Sequence, residues 1–185
     1  MSEKLDIPNV MTPKFRVSFP NVFRPGKPVD PTKAGKYSVT MLFDKDANLE
    51  PLKKAMVDFM TKKFGGNQAS WPKLSRNPFR DQGEKTFEGY VAGAKFINAT
   101  SNTKPGLVDA QNNDIINEAD FYPGCYARAT VRPFWYDTAG NKGVAFGLQN
   151  IQKLADGEPL GGRVSASKEF EPVAPANGGG SADTA

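Results

Sequence analysis

The chain has 185 residues, 38% of them hydrophobic, with a net charge of +4 and a sequence pI near 9.1, which suits one domain and an anionic partner. It has one cysteine and no histidine, which excludes the usual catalytic triads, an internal disulfide and a zinc site of the usual kind. With no apolar run of membrane-spanning length and no signal-peptide pattern, we expect a soluble intracellular protein without a cofactor.

The first part of the chain predicts an arm and two strands. Residues 1–13 mix charges with two prolines and are expected to form a flexible N-terminal arm. Apolar residues alternate with polar ones at 14–23 and again at 37–43, as in half-buried strands. The connection 24–36 is rich in proline, glycine and lysine, and is either a plain surface loop or a basic flap beside a binding groove. The cations of this loop that we select as candidate phosphate contacts are Arg24, Lys27 and Lys36.

One helix is predicted, at residues 48–64. Asn48 suits the N-cap, Pro51 then falls at the third helical position, and the two glycines at 65–66 end the helix. The apolar residues that recur at helical spacing are Leu49, Leu52, Met56, Phe59 and Met60. This stripe is interpreted as core packing.

The middle of the chain is less regular. Residues 67–88 carry Trp71 among arginines and a lysine, which is typical either of a nucleic-acid contact loop or of a loop held to the body by its apolar residues. Residues 89–98 return to a strand pattern, in which Gly89 and Gly93 would permit sharp curvature.

Segment 99–124 is acidic. Its charged residues are Lys104, Asp109, Asp114, Glu118 and Asp120, a net charge of −3. A metal-dependent nuclease could place paired carboxylates here, but the spacing matches no coordination loop, so no metal site is predicted.

The most informative stretch is 121–136, which separates into two faces when read with period two. The interior face carries Ala127, Ala129, Val131 and Trp135. The other face carries Tyr126, Arg128, Thr130, Arg132, Phe134 and Tyr136. Turn formers follow at 137–141 and a second strand pattern after them, so we predict a long antiparallel hairpin of 126–136 with 142–153.

Cations and rings on one strand face can hold the phosphates and the unstacked bases of a single strand. The alternative is that Phe134 and Tyr136 are buried under a neighbouring loop while the arginines only solvate the sheet. Beyond the hairpin, residues 14–165 are assigned to the folded domain and 166–185, rich in proline, alanine, glycine and serine, to a disordered tail.

Four strings resemble a family of single-stranded-DNA-binding proteins of tailed bacteriophages and prophages, the type first recognised in an Enterobacter phage. They are KFRVSFPNVF at 14–23, GKYSVTMLF at 35–43, FYPGCYAR at 121–128 and NKGVAFGLQN at 141–150. The resemblance covers about residues 12–165. It implies an OB-fold, a small and partly open antiparallel β-barrel, here mainly β with one helix, that binds single-stranded DNA without strong sequence preference.

The resemblance further implies a role in phage DNA replication and recombination, in the cytoplasm of an infected or lysogenic bacterium. Because the chain has no histidine and no recognisable metal loop, we expect this role to be non-enzymatic. Partners would be single-stranded DNA and phage or host replication proteins, with a homodimer left open and no membrane contact. Many single-strand binders end in an acidic peptide closed by an aromatic residue. Residues 181–185 have one acid and no aromatic residue, which argues against recruitment of partners through the C-terminus.

The candidate contacts come from the alternation argument. For base stacking we select Phe134 and Tyr136, followed by Tyr126 and Trp71. For phosphates we select Arg128, Arg132 and Lys142 beside the three loop cations. Two other classes stay open, a β-barrel virion or assembly protein whose aromatic face binds another protein, and a carboxylate–metal nuclease.

Overall fold

The computed structural model describes residues 7–28, 30–160 and 170–174. This part of the chain holds one α-helix, α1 (Glu50–Phe64), and three 3-10 helices (Gln68–Ser70, Gln82–Glu84 and Glu118–Asp120). Its strands are β1 (Val10–Met11), β2 (Phe15–Asn21), β3 (Tyr37–Leu42), β4 (Arg80–Asp81), β5 (Lys95–Ser101), β6 (Gly106–Val108), β7 (Tyr126–Thr138) and β8 (Asn141–Ala155). No helix in the described ranges is long and apolar enough to cross a membrane.

Five strands form a barrel. β7, β2, β3, β5 and β8 lie side by side, and β8 pairs again with β7 to close the ring. The pairs are antiparallel except β5 with β8, and the closing contacts of β2 with β7 and of β5 with β8 are short. This is the partly open five-stranded barrel of an OB-fold, mainly β with one helix, as predicted.

The core lies inside the barrel because alternate strand residues point inward. Val17, Met41, Ala127 and Phe146 come from four different strands, and each is fully buried. The predicted interior face of β7 is confirmed for Ala127 and its neighbours at 129 and 131.

Helix α1 packs against β1 and β7 and forms a second apolar cluster with the far end of the hairpin. In this cluster the rings of Phe64 and Trp135 meet edge to face, with centroids 5.0 Å apart. The predicted stripe is confirmed as packing, with Leu52, Phe59 and Met60 buried.

The helix start differs from the prediction. The helix begins at Glu50, Leu49 is its N-cap, and Pro51 is therefore one position earlier than expected. The Asn48 side chain still acts locally, because its Oδ1 accepts a hydrogen bond from the Glu50 backbone N–H at 3.2 Å.

The prediction of a flexible arm is wrong for residues 7–13. Ile7 is buried in the second cluster, and β1 pairs with β7. Thr12 exchanges two hydrogen bonds with Ala129, through its own N–H to the Ala129 carbonyl at 2.8 Å and from the Ala129 N–H to its Oγ1 at 3.0 Å. This pairing is a tertiary contact that a local composition argument cannot see.

The strand predicted at 89–98 begins later, at Lys95. Gly89 and Gly93 have φ angles of +87° and +91°, so they lie in turns that lead into β5 and not in the strand itself. Most of the predicted tail 166–185, and the boundary at 165, lie outside the described residues.

Candidate nucleic-acid interface

The hairpin of β7 and β8 is the largest strand pairing among the described residues and confirms the predicted hairpin. Its two-residue turn is Ala139-Gly140, with φ angles of +52° and +86°, as in the tight turns that suit twisted hairpins. The register places Arg128 opposite Gln152 and Phe134 opposite Ala145. The side chains predicted to face outward are all partly or fully exposed.

The two hairpin arginines are held by neutral partners. Arg128 Nε donates to Gln152 Oε1 at 2.8 Å, and Arg132 Nε donates to Asn9 Oδ1 at 3.0 Å. An amide oxygen orients a guanidinium without neutralising it. Each of these side chains therefore keeps a full positive charge for an anionic ligand.

Small residues across the hairpin support the two outward rings. Phe134 lies beside Ala145 and Gly147, and the Tyr136 ring passes directly over Gly143. Both rings are half-buried. The rings are therefore neither fully buried under a loop nor fully free for base stacking, since each is packed on one side and still reaches solvent.

The remaining hairpin candidates lie at its two ends. Lys142 is exposed next to the turn, where its carbonyl accepts the Ser75 N–H at 2.8 Å and its own N–H donates to Ser75 Oγ at 2.9 Å. Tyr126 lies at the opposite end, opposite Arg16 of β2, with Lys14 Nζ 5.3 Å from its ring centre.

Trp71 is not brought to the hairpin's outer face. Its partly buried ring packs against the second cluster, and its Nε1–H donates at 2.7 Å to the carbonyl of Gly65, the C-cap of α1. These contacts match the loop-packing interpretation of residues 67–88.

The cations of the loop between β2 and β3 differ from one another. Arg24 forms a bidentate ion pair with Glu118, at 2.7 and 3.1 Å. Lys27 and Lys36 are exposed, and the loop neck is closed by a hydrogen bond from the Gly26 N–H to the Lys36 carbonyl. Arg24 would therefore have to exchange one anion for another to bind a phosphate.

Sequence reasoning missed an exposed aromatic patch, which we define as Phe19, Phe87 and Tyr90. The Phe19 and Phe87 rings meet edge to face at 5.0 Å, and Phe87 meets Tyr90 at 5.5 Å. Phe19 is 53% and Phe87 49% exposed. Burial raises the pKa of Tyr90, partly offset by its hydrogen bond with Ser18, so its hydroxyl is neutral at physiological pH.

The acidic segment 99–124 folds on itself. Asp109 Oδ1 accepts the backbone N–H groups of Gln111 and Asn113, both at 2.9 Å, and the Asn113 bond is the main cause of its lowered pKa. Within the described ranges, no three cysteine, aspartate or glutamate residues are grouped so that they could hold a metal ion.

Three comparisons place the chain among known proteins. Residues 8–179 match the family described as Enterobacter phage Enc34, ssDNA-binding protein. Protein p50 of Acyrthosiphon pisum secondary endosymbiont phage 1 is 30% identical over 166 residues, which is 84% of this chain and 89% of p50.

Solved structures support the fold. The single-stranded DNA-binding protein from bacteriophage Enc34 in complex with ssDNA aligns with a TM-score of 0.66 and 20% identity, over 86% of this chain and 97% of that one. The single-stranded DNA-binding protein gp2.5 of bacteriophage T7 aligns at 0.53 and 12% identity, over 89% and 98%. The family match spans the whole barrel and its hairpin, and the chain belongs to the family of the Enterobacter phage Enc34 ssDNA-binding protein.

Proposed function

We propose that the protein binds single-stranded DNA without sequence preference and protects it during phage DNA replication and recombination, in the cytoplasm of the bacterial host. The observation that carries this proposal is the outer face of the β7–β8 hairpin, where two unneutralised arginines and two half-exposed rings follow one another on an OB barrel. Family membership supports it, since the family is described by this activity.

Phosphates would be bound by Arg128, Arg132 and Lys142. Each cation that replaces counterions on a single strand contributes about 0.7 to the slope of log affinity against log salt. The loop cations Lys27 and Lys36 would also attract the phosphates. Arg24 would contribute less to this attraction, because Glu118 already neutralises its charge.

Bases would stack on Phe134 and Tyr136, with Tyr126 at the end of the same face. Stacking of one base on an aromatic side chain contributes about 1–3 kcal/mol and tolerates any base, which accounts for binding without sequence preference. Trp71 is the weakest of the stacking candidates, because its ring and its N–H group are both engaged in packing.

Binding would involve no chemical step. We expect no cleavage of single-stranded DNA in magnesium or manganese. The alternative, a carboxylate–metal nuclease, would use the carboxylates of segment 99–124. Cleavage that Asp114→Ala or Asp120→Ala abolishes in a clean preparation would overturn the non-enzymatic proposal, whereas a contaminating nuclease would survive both substitutions.

The test is fluorescence anisotropy with a labelled oligothymidine at several salt concentrations. The double variant Arg128→Ala/Arg132→Ala should lose about 1.4 from the salt slope, two contacts at about 0.7 each. Phe134→Ala should weaken binding with little change of slope, because stacking releases no counterions.

The matched control is Lys53→Ala/Lys63→Ala. It removes an equal number of positive charges from the exposed side of α1, where Lys53 Nζ lies 3.7 Å from Glu50 Oε1, and should leave the slope close to wild type. If both double variants are folded by circular dichroism and have equal salt slopes, the DNA interface does not lie on the hairpin. Binding insensitive to salt would favour the assembly-protein alternative instead.

A further inference from the structure

We propose that the aromatic patch of Phe19, Phe87 and Tyr90 is a second base-stacking site for single-stranded DNA on the outer surface of the barrel. The proposal rests on the proposed function and extends it to a surface that the hairpin does not include.

The rings of the patch are open to a ligand. Phe19 and Phe87 each expose about half of their surface, and they meet edge to face, at an interplanar angle of 72°, and not as a stacked pair. A cleft of about 140 Å³ lies beside them. It is lined by Ser18, Phe19, Phe87, Glu88, Pro123 and Leu160. Four of these six residues are apolar, so the cleft suits the flat face of a base.

The backbone at Phe19 is held in an unusual conformation. Its φ angle is +44°, which is rare for a bulky side chain. The pairing of β2 with β3 also shifts register between Ser18 and Asn21, which marks a bulge at this point. Bulges redirect side chains and are over-represented next to binding sites, and strained backbone is found preferentially at functional sites. The bulge directs an apolar ring to solvent at a position where burial would otherwise be favoured.

The other two rings are carried by a loop that is fixed from below. The buried Gln82 donates from Nε2 to the carbonyls of Phe43 at 2.9 Å and Lys95 at 2.8 Å, and its Oε1 accepts the Val91 N–H at 2.9 Å. Tyr90 shares a hydrogen bond of 2.9 Å with Ser18 Oγ. A platform fixed in this way loses little conformational entropy when a base stacks on it.

One cation, Arg16, connects the patch to the hairpin. The Arg16 guanidinium lies beside Gly89, the residue that precedes Tyr90 in the loop. It donates its hydrogen bonds to the uncharged backbone carbonyls of Gly124 and Glu158. Arg16 is also the strand neighbour of Tyr126, the last ring of the hairpin face. A single strand that follows the hairpin face to Tyr126 would therefore meet Arg16 and then the patch.

The test compares Phe19→Leu and Phe87→Leu with wild type, since leucine keeps apolar bulk but offers no ring to a base. Each variant should bind oligothymidine about 5- to 140-fold more weakly with an unchanged salt slope. Ile116→Ala, which removes an apolar side chain that is 86% exposed elsewhere, is the control and should bind as wild type. Irradiation of the wild-type complex with a 5-iodouracil oligonucleotide should yield crosslinks to the patch.

The outcomes separate this inference from the proposed function. If wild type binds and both folded variants bind equally well, with crosslinks only elsewhere, the patch inference is overturned while the proposed function stands. If the wild-type protein does not bind single strands, the proposed function and the patch inference are both wrong. Unchanged affinity with a change of molecular mass in light scattering would show that the patch contacts protein, which also overturns the inference. Phe87→Leu alters a loop position and carries the test alone if Phe19→Leu does not fold.

Discussion

Replacing Gln82 by leucine should destabilise the barrel and loosen the loop that carries Phe87 and Tyr90. Gln82 is 2% exposed, and its side chain makes three hydrogen bonds that join Phe43 just after β3, Lys95 at the start of β5, and Val91 in the loop before β5. Leucine fills a similar volume but makes none of them, so the change isolates the polar contribution.

The magnitude follows from the groups left behind. The buried Phe43 carbonyl loses a donor, which costs about 1–3 kcal/mol, and the two part-buried bonds contribute about 0.5–1.5 kcal/mol each. Lys95 suffers less, because its carbonyl still accepts the Phe43 N–H at 2.9 Å. A loss of about 3 kcal/mol corresponds to a Tm lowered by roughly 6–12 °C for a protein of this size.

Thermal unfolding followed by circular dichroism measures this loss. Gln111→Leu, the same chemical change at an exposed position, is the control and should stay within about 0.5 kcal/mol of wild type. A Gln82→Leu protein that melts within a degree of wild type would refute the view that this amide anchors the loop.

Three further predictions concern single side chains. Backbone N–H groups of Gly83 and Gly93 lower the pKa of Asp81, so the ionised carboxylate stabilises the fold above the unfolded pKa of about 4, and this stabilisation is lost as pH falls through the folded pKa. Asp81→Asn should therefore flatten the acid side of a stability–pH curve, and an unchanged curve would contradict this prediction. Burial raises the pKa of the fully buried Cys125, so a thiol reagent should label the native protein only as fast as it opens, and rapid labelling at neutral pH would contradict this. Arg24→Ala should change the salt slope by less than about 0.7, since its charge is already paired, and a full loss of about 0.7 would show that the pair opens for DNA.

The hairpin could be predicted from sequence because its signal is local. Alternation along β7 and the turn formers after it report directly on which side chains face the core. The helix stripe is local in the same sense, and only its first residue was misplaced. The family resemblance supplied the barrel, whose strand order depends on contacts between distant segments.

The aromatic patch could not be predicted, because its members meet only in the folded chain. Phe19 and Phe87 are 68 positions apart, and the strand pattern of β2 assigns Phe19 to the interior until a bulge turns it outward. Trp71 shows the opposite case. The composition of its loop suggests contact with nucleic acid, whereas in the folded chain the ring packs against the second cluster. Pairing of β1 with β7 likewise has no local signal in residues 7–13.

The central claim is that the barrel binds single-stranded DNA without sequence preference, through phosphates and stacked bases. The most direct measurement is competition anisotropy on the whole chain, with oligothymidine, a mixed-sequence single strand and its matched duplex, over a range of salt concentrations. We expect similar affinities for the two single strands, weaker binding to the duplex and a linear fall of log affinity with log salt. Equal or tighter binding to the duplex, or no binding to either single strand at low salt, would contradict the claim.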